Sequence, residues 1–155
     1  MSSEGRRFLD EGRFEEALES FSGSEDAHGF FGRAVALQLL ARFEEAEAAY
    51  GRLLAAHPGH EEALANLIAM NVEKFDLARI EQYARRLLEI SPDAPVALQG
   101  LIVVAVERRD FDLAASCFAR LSRLEEAGRD AVEYRLSRHI VERLKDHHGS
   151  VAHPR

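Results

Sequence analysis

Seven histidines and a single cysteine are the residues of this 155-residue chain best suited to metal binding or nucleophilic chemistry. Zinc needs three or four ligands converging in tetrahedral geometry, and a reactive thiol needs a neighbour that holds it as thiolate. The spacing supplies neither. His57 and His60 flank Pro58-Gly59 in a turn and read as solvated, His28 reads as a helix-surface residue, and His139 beside Ile140 reads as partly buried on a last helix. His147, His148 and His153 fall in a tail that offers no fixed ligand geometry. Cys117 lies one turn from Leu113 and Leu121 and reads as core packing; with no second cysteine there is no internal disulfide, which fits a reducing compartment. Glu15-Glu16 and Glu44-Glu45 stand near helix starts, where the helix dipole favours acids, so they are structural rather than an acid-base pair. No glycine-rich loop follows a strand, because no strand is expected. The chain is therefore expected to carry no catalytic, metal or cofactor site.

The elements that would position any site announce themselves by repetition. An aromatic, an acid and a small residue recur as Phe14-Glu15-Glu16-Ala17, Phe43-Glu44-Glu45-Ala46, Phe75-Asp76-Leu77-Ala78 and Phe111-Asp112-Leu113-Ala114. Behind this phrase runs a register of 34 residues: Tyr50, Ala84 and Phe118; Leu53, Leu87 and Leu121; Arg52, Arg86 and Arg120; Pro58 and Pro92. Each proline follows a helical run, where a residue without an N–H ends a helix at little cost. In the first helix of each unit, Phe31, Val35 and Leu39 give way to Ala65, Ala69 and Glu73, then to Gln99, Val103 and Glu107, each set on one face.

Second helices are predicted at about 43–56, 77–90 and 111–124, with no period-two alternation anywhere. The expected organisation is one domain over 1–148: an irregular unit at 1–26, repeats at 27–60, 61–94 and 95–128, a capping helix at 129–146 carrying Val132, Leu136, Ile140 and Leu144, and a tail at 149–155. In the first unit, Ser22-Gly23-Ser24-Glu25-Asp26 stops the second helix about one turn early. Phe75 sits two residues ahead of the register, in which Leu77 and Ile80 match Phe43 and Ala46, so the third unit's turn is expected to be irregular.

A net charge of −7 opposes binding to a phosphate backbone, and nucleic acid is not an expected partner. The start of the chain, Met1 to Arg7, lacks the apolar core of a signal peptide, and its longest dense apolar run, Leu101 to Val106, falls far short of the roughly 20 residues that span a bilayer. These features lead to the expectation of a soluble, cytoplasmic protein without membrane insertion.

Over roughly residues 5–126 the chain resembles the tetratricopeptide repeat family, most specifically at Arg42-Phe43-Glu44-Glu45-Ala46 with Tyr50, Leu53 and Pro58, and at Asp110-Phe111-Asp112-Leu113-Ala114 with Phe118 and Leu121. Arg33 replaces the family's large apolar residue, Ala34 its common glycine, and Asn71 a typical aromatic. The resemblance implies an all-α, right-handed helical solenoid of antiparallel helix pairs, about three and a half repeats plus the capping helix. It also implies a concave groove lined by first helices that holds a peptide or helix of another protein.

Carried onto this chain, that groove displays His28, Phe31, Val35 and Gln38, then Glu62, Asn66, Ala69 and Glu73, then Gln99, Val103 and Glu107. Phe31, Val35, Ala69 and Val103 would supply apolar contact; Gln38, Asn66 and Gln99 would satisfy ligand backbone; Glu62, Glu73 and Glu107 would favour a neutral or basic ligand. A chaperone-tail clamp is disfavoured, since only Asn66 suits it. The expected function is a non-enzymatic protein-protein interaction module, an adaptor or scaffold, with structural self-assembly as a homo-oligomer through the solenoid ends or groove as the alternative. Phe31→Ala and Glu107→Lys are expected to weaken binding without lowering the melting temperature. The stripe Arg52, Arg86 and Arg120 offers two readings, a site for an acidic partner and a solvated outer face with ordinary ion pairs, such as Glu81 with Arg85, of which the second is favoured.

Overall fold

A computed structural model describes residues 3–126; the expected capping helix with His139, and the tail with His147, His148 and His153, lie outside the described residues. Among the described residues there are eight helices and no strand: α1 (Ser3–Asp10), α2 (Phe14–Phe21), α3 (Ala27–Leu39), α4 (Phe43–Ala56), α5 (Glu61–Lys74), α6 (Leu77–Ile90), α7 (Pro95–Glu107) and α8 (Phe111–Glu126). The second helices expected at 43–56 and 77–90 are α4 and α6 to the residue, and α8 runs two residues beyond the expected 124. These helices divide between residues 67 and 68, inside α5, into two compact units. In the first, α1 packs on α2, α2 on α3 and α3 on α4; in the second, α6 packs on α7 and α7 on α8.

Every helix pair turns through the same backbone. Gly12, Ala41, Phe75 and Arg109 adopt φ of 74°, 57°, 59° and 60°. At each, this residue's N–H donates to the carbonyl three back and the next N–H donates to the carbonyl five back: Ala41 to Gln38 at 3.0 Å with Arg42 to Leu37 at 2.9 Å, and Phe75 to Val72 at 3.1 Å with Asp76 to Asn71 at 3.0 Å. This is the Schellman arrangement, in which a left-handed residue lets two orphan carbonyls find donors. Ala41, Phe75 and Arg109 keep the 34-residue register, so the third turn is regular, contrary to expectation. Phe75 is not the counterpart of Phe43. It occupies the left-handed position, 50% exposed, and Leu77 opens the following helix as Phe43 does.

The position after the left-handed residue solves helix initiation in two ways. Asp76 and Asp110 accept from the N–H groups of Arg79 and Leu113 at 3.1 Å, satisfying orphan donors. Arg13 and Arg42 make no cap, and each guanidinium instead pairs with Glu16 or Glu45 one turn on, at 2.7 and 2.9 Å for Arg42. These hydrogen bonds hold both carboxyls below the usual carboxylate range. Three of the four small residues of the repeated phrase, Ala17, Ala46 and Ala114, are fully buried, which is what a close helix crossing requires; Ala78 is exposed, and Ile80 is buried at the register position of Ala46.

α2 stops after eight residues, against fourteen in α4 and α6, so its shortening is nearer two turns than one. Gly29 and Gly32 let this early end press onto α3: a Cβ on Gly32 would stand 2.5 Å from the Phe21 ring, and one on Gly29 would stand 2.1 Å from Ser24 Cβ. Arg33 Nη2 then donates to the carbonyls of Phe21, Ser22 and Ser24 at 3.2, 3.3 and 3.2 Å, with its guanidinium 5.5 Å from the Phe30 ring centre. The arginine that departs from the resembled pattern and the early end of α2 are thus one feature.

Candidate functional site

In the first unit, the faces of α3 and of the start of α5 converge on one buried tyrosine. Tyr50 on α4 is wholly buried, and burial pushes its hydroxyl up to about 12 against the opposing effect of the Asn66 hydrogen bond. A buried phenol must find partners. It donates to Gln38 Oε1 at 2.8 Å and accepts from Asn66 Nδ2 at 2.9 Å. Two of the expected site residues are therefore fixed by a third from the opposite helix. Each amide uses one end on Tyr50, and if both amides were turned over, Tyr50 would still accept from one and donate to the other. Either way, one donor end and one acceptor end remain for something else.

Phe31 lies alongside. Its ring centre is 6.1 Å from that of Tyr50 and 5.0 Å from that of His60, the latter inclined by only 31°. His60 is half buried, not solvated, and its Nδ1 accepts from the Ala63 N–H at 3.2 Å, capping α5. His57, by contrast, is exposed as expected. Phe31 is consequently part of a three-ring stack, so Phe31→Ala should lower stability as well as any binding, and the expectation of an unchanged melting temperature is withdrawn. His28 packs edge-on to Phe21 at 6.2 Å, Val35 is half buried, and Glu62 is exposed.

In the second unit, Ala69, Glu73 and Glu107 are exposed and Val103 is half buried. Gln99 is only 5% exposed. It sits among the buried residues of α7 and is not free to satisfy a ligand's backbone, which corrects the role expected for it. The register explains why this unit lacks the polar cluster: Ala84 stands where Tyr50 does, and Gly100 where Asn66 does. A Cβ on Gly100 would meet Ile68 Cγ2 at 2.9 Å, Ile80 Cγ2 at 3.1 Å and Ala84 Cβ at 3.7 Å, so the same helix crossing is dry and tight. Glu81 bridges Arg108 and Arg85, the latter at 2.9 Å, and these bonds, Arg108's first, hold its carboxyl below the usual range. Cys117 is 3% exposed and burial pushes its thiol up, the opposite of activation. Among the described residues no group of three metal-ligating side chains gathers, and no helix is long and apolar enough to cross a membrane.

Tyr50 and His60 were not among the residues expected at the site. A signal existed for each: a tyrosine in a register otherwise held by Ala84 and Phe118, and a histidine three residues before Ala63 at a helix start.

No family model matches this chain, and no curated protein matches it. Solved structures do. A tetratricopeptide repeat protein from Parabacteroides merdae superposes with a TM-score of 0.73 at 22% identity, over 96% of this chain and 59% of its own. MamA from Desulfovibrio magneticus RS-1 gives 0.75 at 16% identity over 95% of this chain and 85% of its own. Cut9, from the APC/C hetero-tetramer Cut9-Hcn1, gives 0.72 at 18% identity over 91% of this chain and 29% of its own. The chain thus spans well under two thirds of the Parabacteroides protein and under a third of Cut9. The fold is the tetratricopeptide repeat fold, a helical solenoid type built from helix pairs.

Proposed function

We propose that this chain is a non-enzymatic protein-interaction module whose first helices hold a segment of another protein. The observation that carries this reading is the Gln38–Tyr50–Asn66 cluster. A buried hydroxyl fixes two half-exposed amides, on α3 and α5, and leaves one donor end and one acceptor end unused, the pair of groups that a peptide's C=O and N–H require. Fixing the amides in advance lowers the rotamer entropy lost on binding, by about 0.5–1.5 kcal/mol per side chain. Val35 and the edge of Phe31 supply apolar contact beside them, and Glu62 gives the rim a negative charge suited to a neutral or basic segment. In the second unit, Ala69, Val103, Glu73 and Glu107 give the first-helix face the same apolar and acidic character. The reading agrees with the fold and with the crystal structure in which Cut9 is assembled with Hcn1.

The test uses Glu62→Lys and Glu107→Lys, both at exposed positions, with a partner first captured from native lysate. Calorimetry should show weaker binding for each at unchanged melting temperature; affinity equal to that of the parent in both would refute the assignment. Self-assembly is the second reading, motivated by Phe75, a half-exposed apolar ring at the α5–α6 turn. Light scattering that shows a dimer, abolished by Phe75→Ser, would favour it.

A further inference from the structure

In the first unit, Phe30, Arg33 and Leu37 of α3 and Glu45, Ala48, Ala49 and Arg52 of α4 line an open hollow of about 260 Å³. The α4 residues at 45, 48, 49 and 52 form one helical stripe, a different face of that helix from the one that carries Tyr50.

Arg52 lacks the carbonyl partner that its register would supply. In the second unit, Arg120 donates to the Pro92 carbonyl in the turn 28 residues before it and lies 3.5 Å from Asp93. The same offset from Arg52 leads to Ser24. That carbonyl accepts from Arg33, and Arg52 forms no hydrogen bond or ion pair among the described residues. Arg33 itself keeps a buried Nε–H without a partner. The acid in the lining, Glu45, is engaged by Arg42 at 2.7 Å. The cavity therefore joins apolar walls from Phe30, Leu37, Ala48 and Ala49 to two guanidiniums, of which one is free and one incompletely bonded.

We propose that this cavity receives an acidic residue of a partner protein, presented next to an apolar side chain. The carboxylate would bridge to Arg52 and the apolar neighbour would lie against Phe30, Leu37, Ala48 and Ala49. A carboxylate is the complement to a fork of guanidinium donors, and charge-assisted bonds of this kind are roughly twice as strong as neutral ones. This surface lies on different helix faces from the amide cluster, and its occupancy is independent of it.

The probe is N-acetyl-leucyl-glutamate amide, with the glutamine analogue as the neutral match, added to ¹⁵N-labelled full chain. The glutamate peptide should shift the amide resonances of Phe30, Arg33, Ala48, Ala49 and Arg52 with a millimolar midpoint, and the glutamine peptide should bind about tenfold more weakly. Arg52→Gln should erase that difference, and Ala48→Phe, which fills the cavity from an exposed position, should abolish the shifts while leaving the rest of the spectrum in place. Arg33 is left intact because it closes α2. Equal binding of the two peptides, no response at these five resonances, or an unaltered preference in Arg52→Gln would overturn the proposal. So would displacement of the same resonances by protein concentration alone, which would assign the cavity to a second copy.

Discussion

Exchanging glycine and alanine at three positions should change stability with a sign set by one backbone angle. Ala41 is exposed and left-handed at φ 57°, and its side chain is a single methyl, so Ala41→Gly removes the left-handed penalty and almost nothing else. That penalty is about 1–2 kcal/mol for an L-residue, and glycine's greater freedom in the unfolded chain returns about 0.5–1 kcal/mol of it. The net expectation is a gain of about 0.5–1 kcal/mol. Gly12 has φ 74° with nothing within 4 Å of its would-be Cβ, so Gly12→Ala should lose about the same amount for purely conformational reasons. Gly51 lies inside α4 with equally open space, and there Gly51→Ala should gain about 1 kcal/mol from helix propensity. Urea unfolding followed by far-ultraviolet circular dichroism reads all three as midpoint shifts. A loss in Ala41→Gly, or a gain in Gly12→Ala, would refute the shared left-handed turn.

Ala46→Leu and Ala114→Leu should each cost about 1–3 kcal/mol by overpacking a helix crossing at a fully buried methyl, read as lower unfolding midpoints. Tyr50→Phe should cost about 1 kcal/mol, since Gln38 and Asn66 keep access to water, and spectrophotometric titration should lose the ionisation of one tyrosine near pH 12. Glu81 is held below its unfolded value, so its contribution is present above about pH 4.3 and is lost as pH falls through the lower folded value. With the side chain 25% exposed this is worth about 0.5–1 kcal/mol, and Glu81→Gln should flatten the fall in stability between about pH 5 and 3.

The helix pairs were legible because their signal is redundant: a register of leucines, prolines and small residues fixes α4, α6 and α8 several times over. The third turn is regular although its phrase begins two residues early, because Phe75 takes the left-handed position, where a phenylalanine is too unusual to expect. Only the hydrogen bonds of Phe75 and Asp76 show that the turn is common to all pairs. At the candidate site, helical spacing correctly placed Gln38 and Asn66 on first-helix faces, but spacing carries no information on what reaches across from another helix. Tyr50, the reason those amides are fixed, comes from the second helix. Gln99 shows the converse: a polar residue on a nominally exposed stripe is buried where its neighbours on α7 are uniformly apolar. Arg33 appeared as an isolated departure because the carbonyls that it serves lie 9 to 12 residues earlier, in a loop with no periodicity.

The central claim, that the first-helix faces hold a protein partner, is tested most directly by site-specific photocrosslinking. Benzoyl-phenylalanine at Glu62 and at Ala69, both exposed on α5, is compared in native lysate with the same group at Gln82 on α6 and Ala115 on α8. The account predicts one discrete adduct from the α5 positions, weakened by Glu107→Lys, and none from α6 or α8. Equal yields of that adduct from α6 or α8, or no discrete adduct from either α5 position, would contradict it.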